Sequence, residues 1–466
     1  MSGALPADEL RAIFGDALTF DAVECFAYGY DNSRRQAQPD AVVFPAQHEQ
    51  VVALVRTCRA ARVPVIARGR GTNTTGASVP MQGGVVVSFE RMNRIVRIDA
   101  GNRYAIVEPG VLNADLQAAL ATHGFFWPPD PTSSPYCTIG GNLACNAAGP
   151  RAVKYGSCRE NVLGLRAVAG SGEEFRCGVY TSKGAVGYDL TRLLIGAEGT
   201  LALITEATLK LTPKPSAKRT LSASYVDIVS AAAAVARIMA QPVAPCALEF
   251  IDEEALRLAR AHAGEAIPNA GALLIMEVDG DTEDLPRAGD AIAAAARGAG
   301  LIEVHSAATT QETAQLWAAR KALSPALRTL SPHKINEDVV VPVSRLPELI
   351  DALRAISAKH QVLIVNFGHA GNGNIHVNLL PRDAVELARA ERALPEVFDC
   401  VIQLGGTLSG EHGIGLAKRE FLDKALDADA LQLMRRIKAQ FDPDGILNPG
   451  KLLPEPQDES HRQRGI

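Results

Sequence analysis

The sequence predicts an α+β protein built from more than one domain, and three observations support this prediction. At 466 residues the chain is too long for one ordinary hydrophobic core. From residue 41 a short strand, a helix rich in alanine and valine, and a second strand at residues 63–67 form a βαβ-like opening. The segment at residues 212–215, with two prolines, breaks the pattern. The expected divisions are residues 1–216, 217–425 and 426–466.

The first domain is expected to have two lobes that meet near residue 100. Apolar runs bounded by glycine and polar residues predict its strands, and an alanine- and leucine-rich run predicts a helix at residues 112–122. The strands predicted after the opening unit are at residues 84–88, 95–98 and 104–108.

The second domain is also expected to be α+β, because strands alternate with long alanine-rich helices. A last helix at residues 428–441 leads into a segment at 442–451 that contains proline and glycine. The final residues, 454–466, are polar and are expected to fray. The alanine-rich helices are predicted at residues 228–239, 253–263 and 284–299.

The composition is that of a soluble cytoplasmic protein, with 47% hydrophobic and 21% charged residues. No long apolar run predicts a membrane span, and residues 1–10 hold two acids and no basic region, so no secretory signal is expected. A net charge of −5 without a basic stripe argues against nucleic-acid binding. The eight cysteines include no CxxC pair, which argues against an iron–sulfur cluster.

Two glycine-rich segments, at residues 368–376 and 411–413, gather side chains that bind metals. His369, His376 and Glu411 supply the three ligands typical of a catalytic site, and zinc suits this donor set best. His412 would remain beside the metal as a general base. In the alternative interpretation Glu411 is only an ion-pair partner, and the two histidines form a hydrogen-bonded site without metal.

A further glycine-rich loop, at residues 68–76, could gather backbone N–H groups around a pyrophosphate. Alone it could equally be a surface turn, since it matches neither a Walker loop nor GxGxxG. Three other segments, at residues 129–133, 140–149 and 196–200, are equally poor in side-chain bulk. Together the four segments predict a long groove for a large planar cofactor.

These segments resemble those of the FAD-binding oxidoreductases of the vanillyl-alcohol oxidase type, in the D-lactate and D-2-hydroxyglutarate dehydrogenase branch. The resemblance covers residues 41–453, and six motifs occur in family order. The motifs are the loop at 68–76, GGN at 140–142, GYDL with GxEGTL at 187–190 and 196–201, HxGxGNxH at 369–376, EHG at 411–413 and LNPGK at 447–451.

The resemblance implies that FAD lies between the two lobes, beneath an α+β cap domain with an antiparallel sheet, and that the C-terminal segment returns to the flavin. The loop at 68–76 has no histidine for covalent attachment, so non-covalent FAD is expected, and the Arg70 side chain is expected to face solvent. The FAD-binding residues implied are Arg68, Gly69, Arg70, Gly71, Thr72, Asn73, Thr74, Gly76, Pro131, Thr132, Ser133, Gly140, Gly141, Asn142, Asn146, Gly149, Tyr155, Gly156, Glu198, Gly199, Ile204 and Asn448.

The activity implied is oxidation of a D-2-hydroxy acid, in which flavin N5 takes a hydride and His412 takes the hydroxyl proton. Trp317 and Arg320 resemble the family's WxxR, whose arginine binds the substrate carboxylate; without the family, Arg320 would be a solvated helix arginine. Asn378, two residues after His376 and on the same face of a strand, is expected to contact substrate as well.

The substrate is expected to be D-lactate, with D-2-hydroxyglutarate close behind. Relatives acting on the longer acid use a threonine and a lysine, where this chain has Ser324 and Asn336, with Lys334 near the latter. The electron acceptor would be a quinone, a cytochrome or an electron-transfer flavoprotein, which could bring the protein to a membrane, and a homodimer is compatible with the pattern. The alternatives are the flavin subunit of a multi-component glycolate oxidase, an oxygen-using oxidase and a non-catalytic binding module.

Overall fold

The first lobe is a small sheet with helices packed on it. The computed structural model describes residues 3–181, 183–263 and 267–455. Strands β2 and β3 run parallel to the central β4, and β1 joins the edge in the antiparallel sense, in the order β1-β2-β4-β3. The elements are α1 (Ala7–Phe14), β1 (Leu18–Thr19), α2 (Ala22–Phe26), β2 (Ala41–Val43), α3 (His48–Ala60), β3 (Val65–Arg68) and β4 (Val85–Ser88).

The second lobe is an antiparallel sheet in the order β5-β6-β10-β8-β9. Part of its glycine-rich segment forms a helix, α5, because the Thr138 side chain accepts a hydrogen bond from Gly141 N–H and Asn146 ends the helix with φ +53°. The elements are β5 (Ile95–Asp99), β6 (Tyr104–Val107), α4 (Asn113–Ala121), β7 (Phe125–Phe126), α5 (Ile139–Cys145), α6 (Ala152–Tyr155), β8 (Val162–Ala169), β9 (Glu174–Gly178), α7 (Leu190–Leu194), β10 (Ala202–Lys210) and β11 (Thr212–Pro213), the last of which pairs with β7.

The cap is a seven-stranded sheet in the order β15-β12-β14-β13-β17-β18-β16, and every pairing in it is antiparallel, as expected. Helix α10 ends at Ala296, short of the expected residue 299, because Gly298 and Gly300 follow. The elements are β12 (Ala217–Tyr225), α8 (Ile228–Ala240), β13 (Ala247–Asp252), α9 (Glu253–Ala263), β14 (Ala272–Gly280), α10 (Leu285–Ala296), β15 (Leu301–Ser306), α11 (Thr310–Leu330), β16 (Ile335–Val340), α12 (Leu346–His360), β17 (Ile364–His369), β18 (Asn374–Leu379) and α13 (Ala384–Gln403).

Helices cover the two faces of the cap sheet unequally. Apolar residues of α8, α10, α12 and α13 pack on one face in the larger cluster. In the described part of the chain, the helices on the other face are α9 and α11, where Leu323 and Leu327 of α11 contact a cluster that includes Phe367. Strand residues His369 and His376 lie on this second face by alternation with Phe367. The polar side chains of the site therefore emerge where the helical cover ends.

The C-terminal segment returns to the first lobe. Helices α14 (Leu422–Ala425) and α15 (Ala428–Phe441) precede a turn that brings Leu447 into a parallel bridge with Val65. The Asn448 amide then donates to the backbone oxygens of Ala77 and Glu198 at 2.8 Å each. This turn depends on Asp442, which is buried and accepts hydrogen bonds from Ile446 N–H, Leu447 N–H and Lys438 Nζ.

Replacing Asp442 with alanine is expected to lower the free energy of unfolding by about 3 kcal/mol, because it leaves two buried N–H groups without an acceptor and removes the counter-charge of Lys438. Among the described residues, the Lys438 ammonium keeps only the backbone oxygens of Thr200 and Leu447 as acceptors. Urea unfolding followed by circular dichroism measures the loss. The control is Asp444→Ala, since that carboxylate makes only a partly exposed pair with Arg59 at 2.7 Å, which is expected to contribute less than about 1 kcal/mol. Equal losses in the two variants would contradict this account of the turn.

Candidate active site

A cavity of about 1200 Å³ lies between the FAD-type lobes and the cap. One part of the cavity is lined by the glycine-rich segments at residues 68–74, 131–133, 140–142 and 198–199. Another part is lined by Arg320, His369, His376, Glu411 and His412. Sixteen residues expected to bind the cofactor lie on its wall. They are Arg68, Gly69, Arg70, Gly71, Thr72, Asn73, Thr74, Pro131, Thr132, Ser133, Gly140, Gly141, Asn142, Glu198, Gly199 and Ile204.

Three expected cofactor residues with polar side chains lie off the cavity wall because those side chains are used elsewhere. The Asn146 amide oxygen accepts from Ser157 Oγ and Arg159 N–H beyond the end of α5. The Tyr155 hydroxyl donates to Asp279 of the cap at 2.8 Å. Asn448 ties the returning segment to the lobes, as described above. These contacts give the three side chains structural roles, and their expected contact with the cofactor stays a prediction.

Three expected glycines also lie off the cavity wall. Gly76 (φ +81°) follows the lining loop, and Gly156 (φ +78°) ends α6, so both serve as turns. Gly149 has a different role, since its N–H donates to Glu411 Oε2 at 2.7 Å. The sequence places Gly149 near the cofactor, whereas the structure places it against an expected metal ligand.

The two loop arginines differ in their environments. Arg68 is buried, and its guanidinium donates to the backbone oxygens of Tyr30 at 2.6 Å and Ala27 at 3.5 Å, which fixes the segment before β2. Arg70 has a half-exposed side chain, 3.9 Å from Glu90. Arg70 thus lies at the edge of the cavity, and the expected orientation of its side chain toward solvent stays a prediction. Arg68 stabilises the wall through its contacts with the backbone.

The structure brings the three expected metal ligands together. His369 Nε2 lies 3.3 Å from Glu411 Oε1, and His376 Nε2 lies 3.8 Å from the same oxygen. One ligand atom from each residue lies within 4.8 Å of the others. Ligand atoms about 2.1 Å from a shared zinc ion would be about 3.4 Å apart in tetrahedral geometry, so this spacing fits a metal.

The charge balance at these three residues also suits a cation. Burial disfavours a charged imidazole, yet Glu249 and Glu411 outweigh it and raise the pKa of His369 to about 10. His369 is therefore an imidazolium between two carboxylates, and a cation would bind there by displacing its Nε2 proton. Burial and the neighbouring His369 keep the pKa of His376 well below its ordinary value, so His376 is neutral, as a metal ligand must be. The Glu411 carboxyl is held ionised, because His369 and His376 outweigh the effect of burial and lower its pKa.

His412 lies beside the triad with its ring stacked on that of His376, at 5.4 Å between centroids and 15° between planes. Its Nδ1 is 3.5 Å from Asp338 Oδ1, and its Nε2 is 4.0 Å from Glu411 Oε1. The side chain is 21% exposed, toward the cavity. With Nδ1 toward a carboxylate, Nε2 is the nitrogen available to take a proton.

Asp338 holds the loop that carries Glu411 and His412. Its Oδ2 accepts from the N–H groups of Gly410, Glu411 and His412 at 2.7–3.0 Å. Lys418 Nζ, itself 1% exposed, binds the other oxygen, and it helps His412 outweigh burial and lower the pKa of Asp338. Ser409 Oγ also donates to this carboxylate at 3.2 Å, and the five donors together fix the position of Glu411 and His412.

Arg320 is oriented by two neighbours, Glu249 and Phe367. Its Nε donates to Glu249 Oε2 at 2.7 Å, and the guanidinium lies 4.6 Å from the centroid of Phe367. One turn earlier, Trp317 Nε1 donates to Glu277 at 3.2 Å, which fixes α11 on the sheet. Among the described residues, none bonds Nη1 or Nη2 of Arg320, so the fork is available to a ligand carboxylate.

Of the other expected substrate residues, Lys334 and Asn336 line the cavity. Burial, followed by Arg328 and Arg34, lowers the pKa of Lys334 to about 8. Asn378 is fully buried beside Val365, and its amide donates to the backbone oxygens of Val365 and His376, so the structure does not bring it to the cavity. The side chain of Ser324 lies outside the described residues.

The sequence analysis did not identify Glu249, Asp338 and Lys418. Glu249 and Asp338 contact expected site residues, and Lys418 contacts Asp338. Glu249 interrupts the apolar run at residues 247–251, and a carboxylate in such a run is the signal that was available. Asp338 follows Asn336 and Glu337, so no such signal marks it. Glu198 was expected only at the cofactor, but its carboxylate also accepts from Ile414 N–H at 2.6 Å and Gly415 N–H at 2.8 Å. Burial raises the pKa of Glu198 to about 7.

Comparison with known protein families shows which family the chain belongs to. Residues 39–178 match the FAD binding domain family, and residues 214–452 match the family described as FAD linked oxidases, C-terminal domain. The chain belongs to the FAD-linked oxidases. The N-terminal lobes of this FAD-linked oxidase are thus an FAD-binding domain, and the family inferred from six motifs is confirmed.

Relatives at moderate identity span almost the whole FAD-linked oxidase. The glycolate oxidase subunit GlcD of Bacillus subtilis is 41% identical over 91% of this chain and 92% of its own. A D-lactate dehydrogenase of Anaerostipes hadrus is 34% identical over 95% of this chain and 94% of its own. A D-2-hydroxyglutarate dehydrogenase of Stutzerimonas stutzeri is 33% identical over 96% of this chain and 98% of its own.

Solved structures confirm the fold of the FAD-linked oxidase. p-Cresol methylhydroxylase superposes with a TM-score of 0.79 at 17% identity, covering 96% of each chain. Alkyldihydroxyacetonephosphate synthase superposes with a TM-score of 0.75 at 22% identity, covering 96% of this chain and 86% of that one. These likenesses confirm the expected vanillyl-alcohol oxidase type of fold. Within the described residues, no helix is long and apolar enough to cross a membrane.

Proposed function

We propose that this FAD-linked oxidase oxidises a short D-2-hydroxy acid to the 2-oxo acid with the help of a divalent metal. One observation carries the proposal: a single cavity joins the flavin-type wall to His369, His376, Glu411, His412 and Arg320. Oxidation of a hydroxy acid needs an electron acceptor, a base and a carboxylate anchor, and these residues with FAD provide all three. The names of the GlcD and D-lactate dehydrogenase relatives support the same class of substrate.

The residues of this chain have separable tasks. Arg320 binds the substrate carboxylate through Nη1 and Nη2, which fixes the face of the α-carbon toward the flavin wall. His412 takes the hydroxyl proton at Nε2, and Asp338 stabilises the resulting imidazolium. A cation held by His369, His376 and Glu411 would supply positive charge that lowers the pKa of the hydroxyl. The hydride leaving the same carbon would be accepted by bound FAD, which provides chemistry that no side chain offers.

D-lactate is our first candidate substrate, and two observations support D-2-hydroxyglutarate and glycolate as alternatives. Lys334 and Arg328 line the cavity, and a second cation there would suit the distal carboxylate of D-2-hydroxyglutarate. The identity to GlcD, which is named as a subunit, supports glycolate and a multi-component assembly. Affinity purification from the native cell separates a self-sufficient dehydrogenase from a subunit that copurifies with an iron–sulfur partner.

The test is anaerobic mixing of the purified protein with D-lactate, L-lactate, D-2-hydroxyglutarate and glycolate in turn, followed by visible absorbance. We expect rapid bleaching of the flavin band by a D-acid or by glycolate and slow bleaching by L-lactate. Bleaching by D-2-hydroxyglutarate alone would identify that acid, rather than D-lactate, as the substrate. No bleaching by any of the four would refute the hydroxy-acid assignment.

A further inference from the structure

We propose that Glu249 is a positioning residue that joins the metal ligand His369 to the substrate anchor Arg320. Glu249 Oε1 lies 2.6 Å from His369 Nδ1, and Oε2 lies 2.7 Å from Arg320 Nε. The carboxylate is 1% exposed, so water does not compete for either oxygen. This inference rests on the proposed function, since it assigns Glu249 to the geometry of the same site.

Three elements of the cap meet at this carboxylate. Glu249 lies in β13, where Phe250 is paired with Gly368 of β17, so His369 is beside it on the neighbouring strand. Helix α11 crosses the same face and brings Arg320 over Phe367. Because both oxygens are engaged, neither His369 nor Arg320 can shift without lengthening a buried charged hydrogen bond.

The bond to His369 sets the chemistry of the other ring nitrogen. A carboxylate at Nδ1 holds one proton there, so the proton that a cation would displace is the one on Nε2, the atom 3.3 Å from Glu411 Oε1. Without Glu249 the ring could rotate or take the other tautomer, and Nε2 would be a poorer ligand. Carboxylates that orient metal-binding histidines in this way typically contribute about 10–100-fold to metal affinity.

The bond to Arg320 sets the plane of the guanidinium. Since Glu249 accepts from Nε and Arg320 lines the cavity, the two terminal nitrogens are left to bind a carboxylate through two parallel N–H groups. One buried carboxylate therefore fixes the distance between the cation and the anchor. In a 2-hydroxy acid the hydroxyl and the carboxylate are on adjacent carbons. The cation would bind the hydroxyl and Arg320 the carboxylate, so Glu249 sets a distance between the two that suits this class of substrate.

The test is Glu249→Gln in the purified FAD-containing protein. A glutamine oxygen can accept from only one of the two donors, and its amide N–H groups face the other. We expect the zinc dissociation constant, measured by competition with a chromophoric chelator, to rise about 10–100-fold. The KM for the hydroxy acid should also rise, while the FAD content stays at the wild-type value. Glu249→Asp keeps the charge but shortens the side chain, and it replaces Glu249→Gln if the latter does not fold. It should also raise the zinc dissociation constant and the KM.

The control is Asp252→Asn, a carboxylate on the same strand that is equally enclosed by protein. Among the residues that the structure describes, Asp252 accepts from Ala255 N–H and from the backbone and side-chain N–H groups of Asn366. Its replacement should lower the melting temperature and leave the zinc dissociation constant and KM unchanged. If Glu249→Gln behaves in the same way as this control, the positioning role is refuted.

The same measurements separate this inference from the proposed function. Wild-type protein that binds zinc but is reduced by none of the hydroxy acids would refute the proposed function alone, because the zinc affinity of Glu249→Gln still decides whether Glu249 orients His369. Wild-type protein that binds no divalent metal would refute both.

Discussion

Replacing His412 with asparagine is expected to slow anaerobic flavin reduction by the hydroxy acid about 10²–10⁴-fold, the usual effect of losing a general base. The main chain at this position should stay in place, because His412 N–H donates to Asp338 and His412 O accepts from Asn73 Nδ2 at 2.9 Å. FAD and metal contents should therefore match wild type. Stopped-flow absorbance at saturating substrate measures the rate.

The control for this variant is His360→Asn. His360 is at the end of α12, where it contacts Glu396 at 3.0 Å and does not line the cavity. Its replacement should leave the reduction rate unchanged. A His412→Asn protein that is reduced as fast as wild type would show that another group takes the hydroxyl proton.

Replacing Glu411 with glutamine is expected to abolish both metal binding and substrate oxidation. Gly149 N–H now donates to Glu411 Oε2, while Oε1 faces the two histidines. In the variant, the amide oxygen would accept from Gly149, and the amide nitrogen, which cannot bind a cation, would face His369 and His376. Removing a metal-bound carboxylate should reduce the rate of flavin reduction by at least about 10³-fold, since the positive charge beside the hydroxyl is lost.

Elemental analysis of dialysed protein measures the metal, and the visible spectrum confirms that FAD is still bound. Glu420→Gln is the matched control, because Glu420 is an exposed glutamate elsewhere on the cavity wall. It should retain wild-type metal content and rate. Retention of stoichiometric metal by Glu411→Gln would favour the alternative in which Glu411 only pairs with the histidines.

The parts of the fold that could be predicted from sequence are those encoded by local patterns. Helix α9 (Glu253–Ala263) and helix α15 (Ala428–Phe441) have the predicted bounds, because the hydrophobic period of 3.6 and clear end signals coincide there. Helix α5 was missed within the glycine-rich region. Glycine disfavours helices in general, and here a single Thr138 cap and contacts between lobes stabilise the helix.

The site could be predicted where one short segment holds several ligands, as at His369 and His376. Asn378 was expected in the site, but the structure does not bring it to the cavity. Strand alternation gives the face on which a side chain lies but not what covers that face, and Asn378 is buried beside Val365. Glu249 is 120 residues away from His369 along the chain, so only the pairing of β13 with β17 reveals the contact. Long-range partners of this kind follow from sheet order, which no local pattern encodes.

The measurement that tests the account most directly is flavin reduction by the preferred hydroxy acid before chelation, after chelation, and after zinc is restored. We predict that the flavin is bleached rapidly before chelation. After chelation the rate of bleaching should fall by at least about 10²-fold with FAD still bound, and zinc should restore it. The reason is that the cation lowers the pKa of the hydroxyl that His412 deprotonates. Bleaching at the original rate in protein shown to be metal-free would contradict the claim that His369, His376 and Glu411 form a catalytic metal site.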